Sequence, residues 1–249
     1  MTNDATRSIG LLFSGGLDST LEAVERLKEY DAVHLLSFNN GCCVNMNGAR
    51  QRAGELRRIF GATRIHHAEV DTAPLRRKLL YDSEGRLWRY KSPLVFDLAC
   101  KMAAVIELIF HARTHGLSRI ADGASIDQTQ VFLQHPEMSA HIRPLFEQYG
   151  VEMVKPVLFH ISREEKIKRL EGLGFESGSG LLEKLHITSQ IMHQPFCLYG
   201  FVTFFFTSPL RHVPLIKRMS LPMEQAQEAW DEVLPVACRE LDERLARHP

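Results

Sequence analysis

Two groups of residues in this sequence are of types and spacings that do chemistry. The first is Ser14-Gly15-Gly16-Leu17-Asp18-Ser19-Thr20, which follows the apolar run 9–13. Leu17, Leu21, Val24 and Leu27 then recur at three- and four-residue steps, the spacing of a helix. A buried strand, a glycine turn and a helix start make a phosphate-binding geometry. Glycines allow positive φ and let backbone N–H groups face an anion, and the helix N-terminus adds about half a positive charge. Ser14, Ser19 and Thr20 add hydroxyls at the same turn. The second group is sulfur: Asp97-x-x-Cys100, the distant Cys197 and the vicinal pair Cys42-Cys43. Asp97 and Cys100 stand three apart, so on a helix they share one face. Near a helix N-terminus Cys100 is placed to react as a thiolate, while its bland reading is a small buried side chain.

A capped strand-to-helix turn needs one Ser or Asp, not S-G-G-x-D-S-T. The stretch is not a Walker motif, because no G-K-[ST] follows, and it is not G-x-G-x-x-G. It resembles the PP-loop of the ATP pyrophosphatase superfamily, whose signature is S-G-G-x-D-S. That family cuts ATP between the α and β phosphates, so the resemblance implies substrate adenylation, with ATP held by Ser14, Gly15, Gly16, Asp18, Ser19 and Thr20. Asp18 repels phosphate directly, and a role through Mg²⁺ resolves this.

The elements that position these residues follow in order. Residues 32–38, 63–70, 118–121 and 151–158 read as further strands, with helices between them at 48–60, 73–80 and 94–115. This alternation predicts an α/β fold: a Rossmann-like, doubly wound, mostly parallel five-stranded sheet with helices on both faces and an α-rich C-terminal extension. Such sheets bind ligands beyond the carboxyl ends of their strands. Residues 14–20, residues 39–43 and the segment after Val70 then share one rim. By position, the resemblance puts adenine and ribose at Phe38 and Asn39. Pro156 suits an edge strand. Pro93 opens the long, apolar helix. Trp88, Arg89, Tyr90 and Lys91 form a basic-aromatic loop, able to stack a base or, more simply, to pack its Trp on the domain.

Asp122-Gly123-Ala124-Ser125-Ile126-Asp127 is a second polar-glycine strand end. It resembles the family's G-H-x-x-D-D loop through Gly123 and Asp127, with Ala124 and Gln128 at the places of the His and second Asp. A helix is expected after it, ended by His135-Pro136. Ser162-Arg163-Glu164-Glu165 is a capping box. Arg163 takes the place of the family's phosphate-directed Lys. The composition shift at 175–180 divides the chain into an ATP pyrophosphatase domain, 1–174, and a helical extension, 175–249, packed on it. The amphipathic stretch 222–247 reads as a packing or dimer helix holding a structural Cys238. His66-His67 lies within a strand, facing opposite sides, and reads as structural.

Asp97-x-x-Cys100 with the distant Cys197 is similar to the cysteine arrangement of tRNA 2-thiouridylases, which are PP-loop enzymes. The resemblance implies either a nucleophile and its partner or, with Asp97, ligands of an iron–sulfur cluster of the 4Fe–4S type. Cys42-Cys43 supplies another ligand or a persulfide, or is two small buried residues. The implied function is ATP-dependent, AMP-forming replacement of oxygen by sulfur on a nucleobase-like carbonyl, in tRNA or a small molecule, with a sulfur-donor protein as a partner. The alternatives are an amide- or nitrile-forming ligase that uses ammonia and a nucleotide-binding module without turnover.

Composition bounds the rest. The chain has 249 residues, 45% of them hydrophobic, enough for a sizeable core. It carries 30 basic and 30 acidic side chains and so has no overall electrostatic footprint for nucleic acid. The five cysteines are odd in number and not spaced as a secreted framework. No signal peptide or membrane span is read, which makes the reducing cytoplasm the expected compartment. A homodimer is compatible with the C-terminal helix.

Overall fold

The computed structural model describes residues 7–44, 46–81, 89–92, 94–121, 136–157, 161–175, 196–197 and 222–248. The first apolar run forms β1 (Ser8–Leu12), and the glycine turn hands the chain to α1 (Leu17–Glu29). There follow β2 (Ala32–Asn39), the short β3 (Cys43–Val44), α2 (Met46–Phe60), β4 (Ile65–Asp71) and α3 (Ala73–Tyr81). Next come α4 (Leu94–Thr114), β5 (Arg119–Ala121), α5 (Pro136–Gln148), β6 (Glu152–Val154) and α6 (Arg163–Gly172). The two-residue β7 (Phe196–Cys197) and the long α7 (Met223–Ala246) complete the described elements.

Five strands form one sheet in the order β4-β2-β1-β5-β6, and every pair in it is parallel. The order reverses between β1 and β5, which makes their carboxyl ends the crevice where such sheets take ligands. As the apolar runs predict, both faces are covered. Ile9, Leu11, Phe13, Val33 and Leu35 pack with α1, α2 and α6. Leu36 and Ile120 point the other way and pack with α3, α4, α5 and α7. Adjacent Leu35 and Leu36 serve opposite cores because side chains alternate along a strand. β6 is an edge strand, as Pro156 suggests. Among the described residues no helix is long and apolar enough to cross a membrane.

The helix expected before His135-Pro136 lies outside the described residues, and Pro136 opens α5. Proline lacks an N–H, and in the first turn that N–H has no intrahelical partner to lose. The basic-aromatic loop is in part a docking element for α7. Arg89 pairs with Glu232, and the Tyr90 hydroxyl donates to the same carboxylate at 3.0 Å. Trp88 lies outside the described residues. On α7, Trp230 is fully buried, and Arg244 grips the Glu107 carboxylate of α4 with two hydrogen bonds of 2.5 and 2.8 Å. Burial pushes the Cys238 thiol above its ordinary range, in keeping with a structural thiol.

A buried ion pair ties α1 to the far edge of the sheet. Arg26 and Glu22 meet at 2.8 Å, both almost fully buried. Glu22 Oε2 accepts the Val157 N–H at 3.0 Å, and Arg26 Nη2 donates to the Lys155 carbonyl at 2.5 Å. The pair therefore fixes the chain leaving β6, and with it the approach to α6.

At the edge of the sheet opposite the crevice, β2, β4, α4 and the turn that follows α4 bring four imidazoles together. His34 Nδ1 and His111 Nε2 are 3.1 Å apart, the His34 and His66 rings 4.6 Å, and His111 stacks on His115 at 3.8 Å. Burial first, and neighbouring imidazoles second, lower His34 and His111 from 6.5 to about 4.

Two predictions follow from these contacts. Glu22→Ala takes from the buried Arg26 guanidinium its 2.8 Å partner and leaves it the exposed Glu29 at 3.6 Å; urea unfolding should show a loss of about 3–5 kcal/mol, and a loss below about 1 kcal/mol, the size of a surface pair, contradicts the clamp. The histidines give a pH dependence. The unfolded chain binds protons from pH 6.5 downward, whereas folded His34 and His111 take them up only near 4. Stability is therefore complete above pH 6.5 and falls as pH drops towards 4. The urea midpoint should decline across this window, and less steeply in His34→Gln/His111→Gln; an unchanged slope in that variant overturns the assignment.

Candidate functional site

The turn between β1 and α1 is built to keep its backbone amides open. Gly15 has φ +70° and lies against α2: a Cβ there would stand 2.6 Å from Ala49 Cα. Conformation and space both demand glycine. Gly16 is the N-cap of α1, without a side chain to cap the first-turn N–H groups. Ser14 Oγ takes the Gly16 N–H at 3.3 Å and meets Ser19 Oγ at 3.2 Å, and Ser19 Oγ donates to the Gly16 carbonyl at 3.3 Å. Thr20 Oγ1 is buried with no hydrogen-bond partner among the described residues. An unpaired buried hydroxyl costs about 1–3 kcal/mol.

The strand leading into the turn is anchored from β2 and β4. The Phe13 N–H donates to Leu36, and the Phe13 carbonyl accepts from Ser37 Oγ at 2.8 Å. Because that hydroxyl is spent as a donor, His67 Nε2, 2.9 Å away, carries the proton towards it. Burial lowers the His67 pKa and keeps the ring neutral. His66 and His67 thus face opposite sides, one in the imidazole group and one beneath the glycine turn.

Lys166 is the residue that sequence reasoning missed. It lies on α6 with its side chain 2% exposed and its Nζ 2.7 Å from Asp18 Oδ1. Ser162 caps α6 through the Glu165 N–H, as the capping box requires. Lys166 and Leu170 stand one turn apart on the buried face of α6. A lysine at an apolar position four residues before a core leucine was the available signal. Arg163, the sequence-based choice, begins α6, but its side chain lies outside the described residues, as do Gly123 and Asp127.

Phe38 and Asn39 end β2 beside the glycine turn. Phe38 packs against the core. Asn39 shapes the rim, its Oδ1 accepting the Gly41 N–H at 3.0 Å and its carbonyl the Thr72 N–H at 2.8 Å.

Next along the rim, the sulfurs gather around Asn40. The Cys42 N–H donates to Asn40 Oδ1 at 2.9 Å. A backbone N–H can only donate, so this bond fixes the amide's orientation. Asn40 Nδ2 therefore donates to Cys100 Sγ, at 3.2 Å, while the Cys43 thiol donates to Asn40 Oδ1 at 3.3 Å. Arg76 Nη1 reaches Cys42 Sγ at 3.6 Å, and its Nε is buried without a partner among the described residues. β3 pairs antiparallel with β7, setting Cys43 opposite Cys197. The Cys197 side chain lies outside the described residues. The structure thus brings Cys100, Cys43 and the backbone of Cys197 to one rim, although 154 positions separate Cys43 from Cys197 in the sequence. Asp97 lies one turn before Cys100 on α4.

A 4Fe–4S cluster requires several convergent thiolates. Among the described residues no three His, Cys, Asp or Glu side chains converge as metal ligands do. The described side chains alone do not make a cluster site.

No family model matches the chain, and none of the curated proteins does. Solved structures do resemble it. A 4-thiouridine synthetase in complex with RNA and ATP is 17% identical over 90% of this chain and 53% of its own, with a TM-score of 0.49. The chain therefore spans about half the length of that protein. NMN synthetase from Francisella tularensis is 12% identical over 76% of each chain, at 0.48. The U34-tRNA thiolase from Methanococcus maripaludis, with its 4Fe–4S cluster, is 14% identical over 96% of this chain and 74% of its own, at 0.45. At these identities the likeness is one of fold.

The Lys166–Asp18 pair is testable as a coupling. In a double-mutant cycle of Lys166→Met and Asp18→Asn followed by urea unfolding, the coupling should be about 1–3 kcal/mol. Strictly additive effects would show that the two groups do not interact.

Proposed function

We propose that this chain is an ATP-dependent, AMP-forming sulfurtransferase of the PP-loop type, acting on a nucleobase-like carbonyl. The observation that carries this reading is the juxtaposition on one rim of an open glycine turn, with buried Lys166 beside Asp18, and sulfurs held at Asn40. The turn supplies the amides and hydroxyls that ATP phosphates accept from, and a bound phosphate gives the buried Thr20 hydroxyl the partner it lacks. Lys166 supplies the positive charge for phosphate, the role that the sequence assigned to Arg163. Asp18 is the carboxylate suited to Mg²⁺, which when bound neutralises charge on the phosphates. Phe38 and Asn39, with Gly123 and Asp127, complete the proposed nucleotide site.

The chemistry follows from what stands on the rim. The substrate's carbonyl oxygen attacks the α-phosphorus, the bond to the bridging oxygen breaks, and pyrophosphate leaves. The oxygen is now part of a good leaving group, AMP. A persulfide on Cys100, loaded by a persulfide donor, attacks the activated carbon, and the C–O bond breaks. Cys197 then attacks the Cys100 sulfur, releasing the thiocarbonyl product and leaving a Cys100–Cys197 disulfide. A dithiol reductant returns both to thiols. Asp97, one turn from Cys100, is the polar group placed to orient it.

The test uses the full, pre-reduced chain with Mg-ATP, a low-molecular-weight persulfide as sulfur donor and an unmodified tRNA pool or free nucleobases. Equimolar AMP and pyrophosphate with a thionated product support the reading. Cys100→Ala should retain ATP cleavage and lose sulfur incorporation. Product formation that survives Cys100→Ala, or that needs ammonium in place of the persulfide, overturns it in favour of a ligase.

A further inference from the structure

The disulfide left by sulfur transfer must be opened before Cys100 can load again, and a third thiol stands at that position. β3 and β7 are short, and their register sets Cys43 directly across from Cys197. Directly opposite residues in an antiparallel pair have Cα atoms about 4.5 or 5.5 Å apart. Both distances fall within the about 4.4–6.8 Å that a disulfide spans. Cys42 does not share this placement; it precedes β3 and receives the Arg76 guanidinium at 3.6 Å. Cys43 also shares an amide with the reacting sulfur, its thiol donating to Asn40 Oδ1 while Asn40 Nδ2 donates to Cys100 Sγ. It is thus the cysteine common to both.

We propose that Cys43 is a third catalytic thiol, which takes over the disulfide by forming a cross-strand bond with Cys197. The Cys43 sulfur attacks the Cys197 sulfur of the Cys100–Cys197 disulfide. The new bond joins Cys43 to Cys197, the old one breaks, and Cys100 leaves with its electron pair. The proton lost by Cys43 goes to the departing sulfur, so the exchange is redox-neutral. A small dithiol then reduces Cys43–Cys197 and is itself oxidised. Cys100, held by the Asn40 amide, is free for the next persulfide while the disulfide waits on the strand pair. This use of the pair rests on the sulfur-transfer reading; its geometry does not.

The experiment oxidises the full reduced chain with diamide, blocks remaining thiols with iodoacetamide, and maps linked peptides by mass spectrometry. The Cys43–Cys197 peptide should exceed any other Cys197 linkage by about tenfold. In Cys43→Ser the linkage should shift to Cys100–Cys197. A dominant Cys100–Cys197 or Cys42–Cys197 bond in the unmodified chain, or no disulfide at Cys197, overturns the proposal. Mapping uses neither ATP nor acceptor, so its failure and the failure of sulfur transfer are distinguishable.

Discussion

The contact between Lys166 and Asp18 joins α6 to the turn after β1, across 148 residues of sequence. An ammonium almost wholly removed from water is tolerable only with a fixed anionic partner. The turn after β1 must therefore be where α6 can reach it. The Glu22–Arg26 pair secures this by holding the backbone at Lys155 and Val157. Neither ion pair is a surface ornament: one sets where α6 begins its approach and the other where it ends. In the proposed reaction this pair is a responsive site, since an incoming polyphosphate would compete with Asp18 for the same ammonium.

The parallel sheet does the remaining positioning. Because all five strands run one way, the glycine turn, Asn39 to Cys43 and the end of β4 emerge on one edge. The imidazole group lies at the other, among groups whose titration bears on stability and not on the rim. Asn40 converts this shared edge into a sulfur arrangement. Its amide cannot be flipped without placing its NH₂ against the Cys42 N–H, so donor and acceptor directions at Cys100 and Cys43 are settled by the backbone.

Much of the fold was legible because its signals are local. The runs 9–13 and 32–38 are continuous and apolar, as strands buried on both faces must be, and the two glycines before Leu17 mark the turn. A proline punctuates both helix starts and helix ends, and only the residues after Pro136 show that it opens α5. Lys166 escaped notice because its partner lies far away in sequence, and a lysine on a helix is usually at the surface. The pairing of Cys43 with Cys197 is a contact between two-residue strands, too short to leave a periodic pattern. The glycine turn and the place of Cys100 near the start of a long helix were legible; the amide that relates Cys100 to Cys43 was not, since an Asn after a strand reads equally as a turn residue.

The most direct measurement is a crystal structure of the full chain with α,β-methylene ATP, in which the bond to be cut is replaced. Triphosphate seated over residues 14–20, with Lys166 Nζ turned from Asp18 to a phosphate oxygen, is the expected result. Nucleotide bound away from this turn, with the Lys166–Asp18 contact intact, would contradict the assignment of the rim as an ATP site.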